Sequence, residues 1–197
     1  MATVAAPYKQ TPEGGDYSLT LSSGAMTIVA AAGPVWALQW TSTSLICVVK
    51  RIKVALSVTT AFTNAQAVCF GLYFARAYTV AATGGTAATL TTNNGKLDTR
   101  YPVTSMTDMR IGTTDVITLG TWTLDAQPLD VACFGATALG NAGDDELNFG
   151  LTPSRQELIV RPNEGLVLAN MAVMGAVGVV MLRVTVEWAE VPNSAVK

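Results

Sequence analysis

The chain has 197 residues, enough for one domain with a sizeable core. Half of it is hydrophobic and only 13% is charged, against roughly 25% in an ordinary soluble domain, so its surface is either Ala-, Thr-, Ser-, Gly- and Val-rich or hidden in an assembly. Twelve Lys and Arg against 14 Asp and Glu give a formal net charge of −2 without a basic stripe, which leaves nucleic-acid binding by phosphate neutralisation little support.

Residues 1–16 read as a flexible or extended arm, because Pro7, Pro12, Gly14 and Gly15 resist regular structure. With Glu13 and Asp16 in it, the start of the chain does not read as a secretory leader. Residues 17–197 read as the folded domain. "YSLTL" and "VWALQW" open it as short β-like runs. "CVVKRIKVALSVTT" then alternates cleanly, with Ile52, Val54, Leu56 and Val58 on one face and Arg51, Lys53, Ala55 and Ser57 on the other. "TTAFTNAQAV" has room for one helical turn, as has "MTDMRIG", but neither sustains a 3.6 period. "QAVCFGLYFARAY" sets Val68, Phe70, Leu72 and Phe74 against Ala67, Cys69, Gly71, Tyr73 and Ala75. "AATLTT" and "KLDTR" flank Asn94-Gly95, the strongest hairpin signal in the chain. "DMRIG", "DVITLG" and "LDVACFG" add further β-like runs, and "TPEGG", "ATGG", "NNGK", "GNAGDDE" and "RPNEG" supply turns.

The run from Leu166 to Leu182 raises the question of a membrane anchor. It is shorter than the about 20 apolar residues a spanning helix needs, and it contains Gly175 and Gly178. Its continuation alternates, with Val180, Leu182, Val184, Val186 and Trp188 on one face and Met181, Arg183, Thr185, Glu187 and Ala189 on the other. Upstream, "QELIVRPNEGLVLAN" reads as two strands joined at Pro162–Gly165. The segment is therefore strand, turn, strand, a small-residue loop and a long final strand. Eight to eleven short strands in one domain predict an all-β, antiparallel β-sandwich of the jelly-roll kind, with a barrel as the second choice.

The chain contains no histidine. A Ser-His-Asp or Cys-His mechanism therefore lacks its base, and a histidine-built metal site in a sandwich is excluded. Cys47, Cys69 and Cys133 form no CxxC pair; they read as three reduced, small core side chains, and no disulfide framework or zinc site is expected. Asp144, Asp145 and Glu146 in "GDDELNFG" read as a solvated acidic loop without the alternating ligand spacing of a calcium loop. Glu157, Glu164 and Glu187 offer carboxylates at strand edges or turns, but nothing selects two of them as a hydrolytic pair. "ATGGTAATLTTNNGK" lacks the spacing of a phosphate loop. Trp36, Trp40, Trp122 and Trp188 read as core fillers, with a sugar-stacking platform as the alternative. No cofactor, no metal and no enzymatic activity are expected.

"TGGTAATLTTNNGKLDTRYP", "TWTLDAQPL" and "PNEGLVLANMAVMGAVGVVMLRVTVEWAEV" resemble stretches of small structural proteins of tailed-bacteriophage particles, over most of the chain after about residue 45. The resemblance implies a jelly-roll head-decoration (cement) protein. Such a protein is made in the host cytoplasm, is placed on the capsid surface of the virion, and contacts the major capsid protein as a dimer or trimer. No functional residue is carried over with it. The residue reading adds the arm and the 78–105 region as candidate contacts, with Tyr8, Arg100 and Tyr101 as individual candidates, since Arg and Tyr are enriched at interface hot spots. No nucleic acid and no membrane are expected as partners. A receptor- or carbohydrate-binding module of a tail or fibre, and a self-assembling coat subunit, are the alternative readings.

Overall fold

The computed structural model describes residues 14–27, 33–114, 116–118, 120–136, 138–149, 157–175 and 177–195. The twelve strands among them are β1 (Asp16–Ser22), β2 (Pro34–Trp40), β3 (Leu45–Thr60), β4 (Gln66–Val80), β5 (Thr86–Ala87), β6 (Asp108–Ile111), β7 (Thr121–Leu124), β8 (Asp130–Ala136), β9 (Gly140–Asn148), β10 (Leu158–Val160), β11 (Glu164–Asn170) and β12 (Val179–Pro192). Every pairing between them is antiparallel.

One sheet runs β1-β12-β3, with β9 and β10 sharing the far edge of β3; the other runs β5-β6-β2-β11-β4, with β7 and β8 sharing the far edge of β4. Without the short β5, β6, β7 and β10, the eight remaining strands lie first-eighth-third-sixth in one sheet and second-seventh-fourth-fifth in the other. This interleaving is the jelly-roll order, two Greek keys folded face to face. The 166–182 run is divided between the two sheets, with β11 central in one and β12 in the other. Among the described residues, no helix is long and apolar enough to cross a membrane.

The alternating faces predicted from sequence are the buried faces. Ile52, Val54, Leu56 and Val58 of β3 face Val180, Leu182, Val184, Val186 and Trp188 of β12 across a register running from Thr60–Val179 to Leu45–Pro192. Val68, Phe70, Leu72 and Phe74 of β4 close the same core from the opposite sheet. β2 and β11 are buried on both faces, as a continuous apolar run allows. Trp36, Leu38 and Trp40 point into the main core. Ala37, Val167 and Ala169 point outward into a second, smaller core with Ala75, Tyr78, Ala82 and Ile117, covered by Trp122 and Leu124. Fully burying each large aliphatic or aromatic side chain stabilises by about 1.5–3 kcal/mol, so these two faces carry the fold.

Three local expectations are corrected. Asn94-Gly95 does turn, with Gly95 at φ 79, but "AATLTT" and "KLDTR" do not pair as a hairpin. Instead the Ser18 N–H donates to the Gly95 carbonyl at 2.7 Å and the Leu97 N–H to the Asp16 carbonyl at 3.0 Å. The free edge of β1 offered open backbone groups that needed partners, and this long-range pairing prevailed over the local one. "GNAGDDE" is not a loop: it lies in β9, where Asp144 meets Lys53 at 2.6 Å and Glu146 meets Arg51 at 3.2 Å. Opposite charges across an antiparallel pair favour that alignment, and positive φ at Gly140 and Gly143 lets so glycine-rich a strand pass the irregularity opposite Leu56 and Ser57. "DVITLG" forms no strand among its described residues; it makes a single bridge from Thr118 to Thr83 and drops Ile117 into the second core.

Candidate partner-binding surfaces

The connection between β4 and β7 sets the geometry of one end of the sandwich. It leaves β4 on one sheet, adds β5 and β6 to the edge of β2, and crosses to the edge of β1 in the other sheet. Residues 93–107 thus form a strap over the open side between the sheets. The Tyr17 hydroxyl donates to the Pro102 carbonyl at 3.1 Å.

Glu190 anchors this strap. Its side chain is buried, at 3% exposure. The Ser105 N–H donates to both carboxylate oxygens at 3.0 Å, the Thr104 hydroxyl donates to Oε1, and Trp188 Nε1–H donates to the same oxygen at 3.3 Å. Burial pushes the carboxyl above its ordinary range, and these donors partly restore the charged form. Tyr17 stacks on Trp188 with ring centroids 5.3 Å apart. Burial, reinforced by the Glu190 charge, raises both the Tyr17 hydroxyl and the Cys47 thiol. This cluster is a structural joint: each of those donors to the carboxylate belongs either to the strap or to β12. Sequence reasoning missed Glu190, although its place on the inward, apolar face of β12, two residues after Trp188, was a readable signal.

The candidates Arg100 and Tyr101 lie on the strap. Arg100 is exposed and forms a forked pair with Asp98, with Nη2–Oδ2 at 2.5 Å, and the guanidinium holds the Asp98 carboxyl down at about 2. Tyr101 is half-buried, with its ring 6.3 Å from Tyr17 and against Gly15, where an added Cβ would lie 2.7 Å from the ring. Tyr101 thus packs the base of the strap, while Arg100 faces solvent. Tyr8 and residues 1–13 of the arm lie outside the described residues. Asp16, the last residue assigned to the arm, opens β1 and pairs with Lys50 at 2.5 Å.

The other sequence candidates are taken up by the fold. Trp36, Trp40 and Trp188 are buried, and Trp122 stands edge-on against Tyr78 at 4.6 Å, so the four tryptophans make no exposed platform. Burial pushes the Tyr78 hydroxyl up to about 12. Glu187 pairs with Arg51, and Glu164 with Arg76 at 2.7 Å. Among the described residues, no group of His, Cys, Asp and Glu is arranged to hold a metal ion.

The cysteine expectation is corrected. Cys47 is buried as expected, but Cys69 and Cys133 form a disulfide. They are directly opposed in the β4–β8 register, on the outer face of the sheet, away from Val68 and Phe70. Their separation of 64 residues hid the pairing, because strand partners are set by the tertiary fold.

At the opposite end from the strap, residues 23–27, 61–65, 138–139, 171–175 and 177–178 lie together, at the ends of strands paired in register. The Gly175 N–H donates to Gln66 Oε1 at 3.0 Å, tying the β11–β12 connection to the start of β4. Phe62, Asn64, Gln66, Gly175 and Val177 line a shallow depression of about 300 Å³ there. Compared with known proteins, the chain matches no family model, no curated protein and no solved structure.

Proposed function

We propose that this chain is a non-enzymatic structural protein of a phage virion, which decorates the capsid and stabilises it by binding between capsomers. The observation that carries the reading is the jelly-roll strand order, an architecture used by viral shell domains; at this level the support is analogy of fold. The sequence resemblance of the 83–102, 121–129 and 162–191 stretches adds to it. So does the use of the ionisable groups: Glu190 anchors the strap, while Glu164, Glu187, Asp144 and Glu146 form cross-strand ion pairs.

A self-assembling coat subunit is the second reading, favoured by the apolar loop end. A carbohydrate-binding module has less support, because the tryptophans it requires are built into the two cores.

The test is co-sedimentation with empty capsids assembled from the major capsid protein of the same virion. Saturable binding that raises the capsid's melting temperature is expected, and absence of binding refutes the decoration role. A chain lacking residues 2–13 is expected to bind more weakly with unchanged thermal unfolding, since β1 and its Asp16–Lys50 pair remain. Arg100→Ala is expected to leave thermal unfolding unchanged, as exposed ion pairs contribute little, so any loss of capsid binding would report the contact itself.

A further inference from the structure

The charges of this molecule are confined along its length. Residues 17–49, 54–75, 131–143 and 165–182 contain no Asp, Glu, Lys or Arg. These runs meet at one end of the sandwich. In the β1–β12–β3–β9 sheet, the charged residues nearest that end are Arg183 and Asp144, both in register with Ala55. From Ala55 to the tip of β3 at Thr60 the strand advances about 17 Å at roughly 3.3 Å per residue. In the other sheet, Asp130 is in register with Leu72, about 20 Å from the start of β4 at Gln66 on the same rise. Among the described residues, the terminal third of these two sheets is therefore free of charge.

It is also where apolar side chains face solvent. Leu139 is 68% exposed, Val173 67%, Val177 59% and Met171 41%, half of the large hydrophobics that the described residues expose. Of these, Val177 also lines the depression beside Phe62 and Gln66.

We propose that this end pairs copies of the chain through a self-complementary interface. In a two-fold contact each patch meets itself, so a charge near the axis would face its own like charge. A charge-free patch avoids that repulsion, and depletion of charge with enrichment of apolar groups is the composition of interface centres. The protruding Leu139 and Val173 of one copy supply apolar side chains for the concave site of the other. A lipid surface fits the end less well. Interfacial membrane contacts combine apolar side chains with Lys, Arg and Trp, and the described residues of this end carry no basic residue and bury their one aromatic ring, Phe62.

The proposal does not depend on capsid binding. Its test is light scattering after size exclusion of the full chain across a dilution series, with two variants at the loop end: Val173→Asp with Val177→Asp, and Leu139→Asp. Leu97→Asp is the control, since Leu97 is 64% exposed but sits on the strap at the far end. The expected result is a wild-type mass of twice 20.6 kDa. Both loop-end variants should fall to a single chain with unchanged circular dichroism, and Leu97→Asp should keep the wild-type mass. A single-chain mass for the wild type at every concentration overturns the proposal, as does an oligomer whose mass ignores both loop-end variants. Vesicle binding by a single-chain wild type would reassign the end to a membrane.

Discussion

Replacing Glu190 with alanine should release the strap. The substitution leaves the Ser105 N–H, the Thr104 hydroxyl and Trp188 Nε1–H without their acceptor. A buried donor without a partner costs about 1–3 kcal/mol. The two strap donors are partly buried and regain water when the side chain is removed, whereas the Trp188 donor is enclosed; relief of the carboxylate's desolvation offsets part of the loss. The net is about 2–4 kcal/mol, which for a chain of this size lowers Tm by roughly 4–16 °C. Chemical denaturation gives the free energy, and hydrogen exchange should show the amides of Ser105 and Met106 losing protection before those of β12. Glu190→Gln keeps an acceptor and removes the ionisation. Because burial raises the folded-state pKa of this carboxyl above its unfolded value, the native state holds the proton to higher pH. Its contribution is therefore fully present below the unfolded pKa and falls as pH rises through the folded one. The glutamine variant should gain on wild type as the pH rises above about 4.5. A loss under about 0.5 kcal/mol for the alanine variant would refute the anchoring argument. Wild type gaining on glutamine as pH rises would show that the hydrogen bonds outweigh burial.

Two further outcomes follow from the packing. Serine at both Cys69 and Cys133 should lower stability in non-reducing denaturant titrations by up to about 4 kcal/mol, the loop-closure value for a span of this length, and reductant should abolish the difference from wild type. Gly165→Ala should cost more than about 3 kcal/mol or prevent folding, because its Cβ would lie 2.1 Å from the Leu38 carbonyl and 2.5 Å from the Tyr78 ring on a central strand; soluble expression with near-wild-type Tm would contradict the described β2–β11 contact.

The long strands were legible because their periodicity is a local property. β3, β4 and β12 each alternate over many residues, and a shift of one position would turn every apolar side chain to the wrong face. β2 and β11 were visible as strands, but their second buried face was not: Ala37, Val167 and Ala169 are small residues whose burial depends on Ile117, Trp122 and Leu124 folding back over them. The same limit applies to the sites. Arg100 and Tyr101 were chosen by residue type, and only the strap's path separates the packed tyrosine from the solvent-facing arginine. Glu190 looked like an ordinary polar residue at a strand's end until Thr104 and Ser105 were brought to it from 86 and 85 residues away.

The sequence by itself determined the all-β class, the inward faces of the long strands and the division of the 166–182 run, because alternation acts through neighbours two residues apart. It also contained the charge-free runs, though not their meaning. The tertiary structure alone decided that Gly95–Leu97 pairs with β1, that Cys69 meets Cys133 and that Asp144 and Glu146 face Lys53 and Arg51. These depend on which distant strands become neighbours, and an antiparallel sandwich fixes that by burying all its apolar faces at once. The same closure gathered four uncharged stretches into one end of the molecule.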